Sequence, residues 1–183
     1  FALIHISSYL SHPLMVLLLL TSLPLLSQPQ SGHAPFVGLG IASMGPPLLY
    51  AVSQGVLYGD WKRRVLYFPY LAAIGAGIAW STSQAVWLGL TRWGGTFGRT
   101  PKFRIEGRNG SWKGSRYMLH PDKVIVGEIA LMLYAAITVV VAWKNANFGA
   151  IPVLLVYVMG FGVVAGSEII QAMASRRPLA VAG

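Results

Sequence analysis

The sequence predicts an all-α integral membrane protein, on three observations. Hydrophobic residues make up 55% of the 183-residue chain and charged residues only 10%, a composition far from that of soluble domains. The apolar residues gather into stretches of about twenty, the length at which a helix crosses a bilayer. The formal net charge of +9 is concentrated between these stretches. An ordinary soluble domain is therefore excluded, and no nucleic-acid-binding motif accompanies the basic charge.

Four stretches are predicted to span the membrane, at residues 4–26, 36–58, 124–143 and 148–170. For the first, a signal-peptide core over its second half is the alternative, which the lack of a preceding basic segment disfavours. The second contains Gly45-Pro46-Pro47, which predicts a kink. The fourth contains the stretch Gly-Val-Val-Ala-Gly at 162–166, which predicts a close contact with another helix.

Residues 66–90 allow two topologies. Hydropathy alone makes them a further span, which gives five transmembrane helices. If they instead enter the membrane and return, or lie in its interface, thirteen of the fourteen Lys and Arg share one face, with only Lys144 opposite. The positive-inside rule favours this second arrangement. The polar run at 81–84 (Ser-Thr-Ser-Gln) and the short apolar segment at 85–90 agree with it. We expect four transmembrane helices plus one re-entrant or interfacial element, in a single membrane domain over residues 1–183.

The loop at residues 92–123 carries eight of the fourteen basic residues and two acids. By charge we expect it, together with the C-terminus, on the cytoplasmic face of the inner membrane. At its centre, residues 95–103 read Gly-Thr-Phe-Gly-Arg-Thr-Pro-Lys-Phe. A basic loop at a membrane surface attracts anions, either lipid headgroups or the phosphates of a substrate. These two ligands imply different functions.

Five residues of this loop have the chemistry to bind a nucleotide-diphosphate sugar. Arg99 offers a planar fork and Lys102 a point charge for a pyrophosphate. The proline between them stiffens the turn and favours an extended Thr100. Phe103 is suited to cover a base or sugar ring, and Trp93 to stack on a sugar. The alternative is simple contact with anionic lipid, which we also expect for Lys62, Arg63 and Arg64.

Several pieces of the chain, in order, resemble the C-terminal membrane region of processive family-2 glycosyltransferases, the cellulose synthase and glucomannan synthase-like enzymes. They are His-Ile-Ser-Ser-Tyr-Leu at 5–10 with Pro-Leu-Met at 13–15, residues 75–90 running into 94–103, Gly127-Glu128, and Leu133-Tyr134. Arg-Thr-Pro-Lys-Phe at 99–103 is the most specific piece. In such enzymes it lies in a cytosolic gating loop over the nucleotide-sugar site. The resemblance implies the same role for Arg99, Thr100, Lys102, Phe103 and Trp93.

Such enzymes also have a catalytic domain, with metal-binding aspartates and a Gln-x-x-Arg-Trp motif, that this chain lacks. It has only five acids, and no carboxylate pair is placed for acid–base or metal chemistry. Asp60 is expected to pair with the neighbouring bases. Glu128 is a functional candidate because it lies within a span, whereas Glu168, near a span end, favours a hydrogen-bonded structural role. We predict no catalytic residue, metal site or cofactor in this chain.

The first functional hypothesis is therefore a glycosyltransferase membrane region that provides a glycan path and a gating loop. Nucleotide sugar and a divalent metal would then bind to a catalytic domain outside this chain. The chain itself would be a fragment of a longer polypeptide, or the remnant of one that is reused for another purpose. The alternative is an accessory or scaffold subunit of a larger membrane complex, such as a respiratory or photosynthetic one. It would hold lipid or quinone tails in grooves at Gly38, Gly40, Gly75 and Gly77. Membrane lipids are partners in both cases.

Overall fold

The computed structural model describes residues 8–28, 45–92 and 123–175. These parts of the chain are helical and contain no strand, which confirms the predicted all-α class. Their helices are α1 (Ser11–Leu26), α2 (Gly45–Leu57), α3 (Trp61–Val65), α4 (Phe68–Gly77), α5 (Ala79–Thr91), α6 (Val124–Lys144) and α7 (Ile151–Ser175), with a 3₁₀ turn at Phe148–Ala150.

Two helical segments are long and apolar enough to cross a membrane, Val124–Lys144 with 21 residues and Phe148–Met173 with 26. The bent pair Trp61–Gly77 and Ala79–Thr91 makes a third if it counts as one span. The helix Ser11–Leu26 is apolar but shorter, with 16 residues. The described residues thus contain two or three helices able to span a bilayer. The prediction of four spans stays a prediction, because residues 1–7 and 29–44 lie outside this description.

The antiparallel pair α6 and α7 forms the centre of the fold. The turn between them is closed by hydrogen bonds from the backbone N–H of Asn145 to Val141 O and of Asn147 to Ala142 O. Ala146, between the two asparagines, has a φ of 56°. Residues three or four apart line the buried face of α6, so one helical stripe faces the neighbouring helices. These residues are Glu128, Leu131, Ala135, Thr138 and Ala142.

Helix α1 packs along this pair and runs parallel to α6. The Tyr134 hydroxyl donates to Leu20 O, and the Asn145 side-chain amide donates to Leu26 O at 2.7 Å. Because the later residue of α6 meets the later residue of α1, the two helices point the same way. The C-terminal end of α1 therefore lies beside the turn between α6 and α7.

Helices α4 and α5 meet at a bend of 42° at Ile78. The backbone hydrogen bonds continue through it, from Ile78 N–H to Ile74 O and from Thr82 N–H to Ile78 O. The polar run at 81–84 therefore does not interrupt the helix. Residues 85–90 had suggested a short interfacial helix of their own, but they form the second half of α5. The Ser81 hydroxyl donates a hydrogen bond to Ile78 O at 3.0 Å, so the hydroxyl has a partner within its own helix. A second hydrogen bond to that carbonyl favours a bend of the helix there.

Helix α2 lies at the edge of the fold. Pro46 and Pro47 occupy its first turn, where a missing N–H costs nothing, so these prolines begin the described helix rather than kink it. None of its 13 residues is buried. It contacts α3 and the start of α4 through Tyr50, whose hydroxyl donates to Arg64 O at 3.3 Å and whose ring lies 5.5 Å from that of Phe68.

Candidate functional site

The loop predicted to bind a nucleotide sugar lies between the ends of two well-defined helices. Helix α5 ends at Thr91 and α6 begins at Val124. The five residues assigned to the gating loop lie outside the described residues, so their role stays a prediction. They are Trp93, Arg99, Thr100, Lys102 and Phe103.

The three bases predicted to contact lipid divide into two kinds. Lys62 and Arg63 are exposed on the short helix α3. Arg64 is instead held by Asp60, with Nε 2.7 Å from Oδ1, and its guanidinium carbon lies 3.8 Å from the Tyr58 ring centroid. The hydrogen bond from Arg64 lowers the pKa of Asp60 below its ordinary value. The predicted ion-pair role of Asp60 is confirmed.

Helices α4 and α7 cross at Gly77 and Gly160. A β-carbon on Gly160 would collide with Ala73 O and stand 2.8 Å from the backbone nitrogen of Gly77. A β-carbon on Gly77 would stand 2.6 Å from Cγ2 of Val164. Backbones this close require glycine at both positions, as at other close crossings of membrane helices. The space at Gly77 is therefore filled by α7 and is not a groove for a lipid or quinone tail.

The stretch 162–166 in α7, predicted to make a close helix contact, does so through Val164 against Gly77, whereas its two glycines contribute little. A β-carbon on Gly162 would stand 3.4 Å from Met132 Sδ, in α6, and one on Gly166 would have nothing within 4 Å. Gly75, predicted to border a groove, likewise has nothing within 4 Å of a β-carbon. Gly38 and Gly40 lie outside the described residues.

Three residues after Gly77, where α4 crosses α7, Trp80 packs onto the backbone of α6. Its indole occupies the space where a side chain at Gly127 would be, with Cζ2 2.8 Å from the position of a β-carbon. The indole nitrogen Nε1 is buried and has no hydrogen-bond partner in the described part of the chain. The contact joins the start of α5 to the start of α6. It also places the buried N–H of the Trp80 indole beside the backbone of α6.

The next residue, Glu128, is the most unusual in the fold. Its side chain is fully buried, at 0% exposure, and neither carboxylate oxygen has a hydrogen-bond partner among the described residues. Glu168, half-buried on α7, is close enough to repel it. An unpartnered buried carboxylate is costly, so its presence inside an apolar bundle makes Glu128 the leading functional candidate among the described residues. The Glu168 side chain makes no hydrogen bond to another described residue, so the hydrogen-bonded structural role expected for it stays a prediction.

Two buried polar groups without hydrogen-bond partners lie near the start of α6, the carboxylate of Glu128 and the indole N–H of Trp80, and we call them the polar centre. It holds no nucleophile–base pair, and no group of three side chains able to bind a metal occurs within residues 8–28, 45–92 and 123–175. The centre therefore offers hydrogen bonds and charge rather than covalent chemistry. The sequence pointed to Glu128 as an acid within a span, but nothing local to Trp80 identified it as a neighbour.

No protein-family model, curated protein or solved structure matches this chain. The assignment of function therefore depends on the chain's own motif, on the direction of its helices and on its charges.

Proposed function

We propose that this chain is the membrane-embedded C-terminal part of a polysaccharide-forming glycosyltransferase. In this proposal its helices border the glycan path, and the loop at 92–123 closes over a nucleotide sugar held by a separate catalytic domain. The observation that carries the proposal is the Arg-Thr-Pro-Lys-Phe motif at 99–103, set in a strongly basic loop between two apolar helices. Catalytic aspartates and a divalent metal would belong to that other domain.

The parallel packing of α1 and α6 argues against the five-span topology. A chain that leaves the membrane after Leu26 and enters again at Val124 in the same direction crosses an odd number of times in between. Five spans would place two crossings there and make the two helices antiparallel. A single crossing agrees with the observed direction, either over residues 36–58 with a re-entrant α4–α5, as we propose, or over the bent pair α4–α5 itself.

This topology is tested by fusing a reporter of membrane sidedness after Gly59, after Arg108 or after Ala146. The re-entrant arrangement predicts that the first two reporters lie on the cytoplasmic side and the third on the opposite side. Opposite locations for the fusions after Gly59 and Arg108 would contradict the re-entrant arrangement and make the bent pair α4–α5 a crossing of the membrane.

The gating role assigns a specific task to each motif residue. Arg99 and Lys102 would neutralise the pyrophosphate of the nucleotide sugar, the first as a bidentate donor and the second as a point charge. Phe103 would cover the base or sugar, and Trp93 would stack on a sugar ring. Thr100, held extended by the proline that follows, would keep the two cations on one side of the loop.

The proposed gating role is tested with the double variant Arg99→Gln/Lys102→Gln in the complete gene product, using membrane vesicles supplied with nucleotide sugar. We expect a higher apparent KM for the nucleotide sugar with unchanged membrane insertion, because two phosphate contacts are lost. The control is Lys62→Gln/Arg63→Gln, which removes equal charge from another cytoplasmic segment. Unchanged polymer synthesis in the first variant would argue against a gating loop.

A second candidate function, an accessory subunit of a larger membrane complex, is favoured by α2. Leu49 and Val56 are 73% and 81% exposed, and no residue of this helix is buried in the chain itself. Such a face would pack against other membrane subunits. Purification under mild detergent distinguishes the two: a fixed stoichiometry with redox subunits supports the accessory role, and nucleotide-sugar-dependent polymer synthesis supports the first.

A further inference from the structure

A groove separates α1 from α7 on one side of the bundle. It encloses a cavity of about 210 Å³. Apolar side chains from both helices line it, among them Leu18 and Leu25 of α1 and Val153, Leu154 and Tyr157 of α7. The Tyr157 hydroxyl donates to Met15 O at 3.1 Å, so this polar atom is already bonded across the two helices.

The remaining polar groups of the groove are also satisfied within the protein. The Thr21 hydroxyl donates to Leu17 O at 2.9 Å, and the Ser22 hydroxyl donates to Leu19 O. A water molecule would find too few partners here, because a stable buried water needs two to four hydrogen bonds. An empty groove would forfeit the dispersion contacts of its lining. Hydrocarbon is the occupant whose chemistry fits.

One end of the groove is polar and basic. The groove reaches Ala150, whose N–H donates to Asn147 O at 3.1 Å. The side-chain nitrogen Nδ2 of Asn147 is buried and has no hydrogen-bond partner in the described residues. Lys144 ends α6 on the same turn and is exposed. The exposed ammonium group of Lys144, near this end of an apolar groove, matches an anionic headgroup above a hydrocarbon tail.

Two aromatic rings indicate that this end lies at the level of the membrane interface. Trp143 and Phe148 flank the turn, both exposed, and pack edge to face with centroids 5.4 Å apart. Tryptophan at a helix end prefers the headgroup region. A lipid lying beside the bundle would therefore place its phosphate near Lys144 and its tail along Leu25 and Leu18.

We propose that the groove between α1 and α7 is a binding site for one acyl chain of an anionic phospholipid, whose phosphate is held by Lys144. A quinone head can accept a hydrogen bond from the ammonium but carries no negative charge to pair with it, which is why the phospholipid is the better match. The site is independent of the glycosyltransferase proposal, because it involves neither the loop at 92–123 nor any nucleotide.

The site is tested by native mass spectrometry of the intact chain, released from bilayers of equal phosphatidylglycerol and phosphatidylcholine with identical acyl chains. We expect one retained phosphatidylglycerol. Val153→Trp and Thr21→Phe fill the groove from α7 and from α1, and each variant that keeps its helical circular dichroism is expected to lose the retained lipid. Val163→Trp is the matched control, the same change at an exposed position of α7 outside the groove, and should retain it.

The headgroup contact is tested separately with Lys144→Gln. A single Lys at a membrane surface contributes about 1 kcal/mol towards anionic lipid, so the preference for phosphatidylglycerol over phosphatidylcholine should fall about five-fold. Lys62→Gln, at the other basic segment, should leave it unchanged. The proposal is overturned if the groove-filling variants retain the lipid as the parent does, or if the parent retains both lipids equally.

Discussion

The indole ring of Trp80 lies on the backbone of Gly127, in the space that any larger residue at that position would need. The contact fixes the start of α5 against the start of α6, at the residue that precedes Glu128 in the chain. Together with the crossing of α4 and α7 at Gly77 and Gly160, it anchors the bent helix pair α4–α5 to the long hairpin of α6 and α7.

Gly127→Ala is expected to lower the free energy of unfolding by about 1–3 kcal/mol, because the new methyl group overlaps the Trp80 ring and forces a shift. Gly75→Ala is the control. Nothing lies within 4 Å of its β-carbon, and alanine favours the helix by roughly 1 kcal/mol. Unfolding in mixed detergent micelles measures both. Equal stability of the two variants would contradict the contact.

The crossing of α4 and α7 gives a second pair of variants on one helix. Gly160→Ala should separate the helices, since its methyl group would collide with Ala73 O, and should also lower the free energy of unfolding by about 1–3 kcal/mol. Gly166→Ala, with open space around it, should be neutral or stabilising. Thermal melting in detergent distinguishes them, and a neutral Gly160→Ala would show that the crossing is wider than described.

Glu128→Met is expected to stabilise the fold by about 1–4 kcal/mol, because it replaces an unpartnered buried carboxylate with an apolar side chain of similar length. Thr138→Val is the control on the same face of α6. It removes a hydroxyl that donates to Tyr134 O at 2.8 Å, so a loss of about 0.5–1.5 kcal/mol follows. If Glu128→Met destabilises the protein, the carboxylate has a partner that stabilises it.

The ion pair of α3 predicts a pH dependence. Arg64 lowers the pKa of Asp60 in the folded protein, so the pair stabilises the fold above the unfolded value near 3.8 and is lost as the pH falls through the folded value. A carbon-13 titration of the Asp60 carboxyl should show a midpoint below 3.8 that rises in Arg64→Gln. Lys62→Gln should leave it in place, and identical midpoints in all three proteins would refute the pairing.

Local sequence predicted the long helices well and their packing poorly. The apolar run at 124–143 coincides with α6 to within one residue, because a bilayer-length apolar segment has few alternatives. The polar run at 81–84, which the sequence offered as support for a re-entrant element, is continuous helix, because its serine hydroxyls bond to the helix itself; the bend lies at Ile78 instead. The close crossing lies at Gly160 and not at Gly162 or Gly166, because Gly160 is the glycine that faces Ala73 and Gly77 of α4. The sequence of α7 alone does not contain that information.

Of the two residues of the candidate site, one could be predicted from the sequence and the other could not. The sequence identified Glu128 because a carboxylate in an apolar segment stands out on its own. Trp80 could not be identified, since its relation to Gly127 exists only after α5 has folded back on α6. The parallel direction of α1 and α6 was equally hidden, because it follows from hydrogen bonds between residues more than a hundred positions apart.

Those long-range bonds have a consequence for how the protein is made. Met15 in α1 accepts its hydrogen bond from Tyr157, 142 residues later in the chain, and Leu20 and Leu26 depend on donors 114 and 119 residues away. During translation α1 is made before α6 and α7, so these hydrogen bonds cannot form until Tyr134, Asn145 and Tyr157 have been synthesised. The packing of α1 onto α6 and α7 is therefore a late step in the folding of this part of the chain.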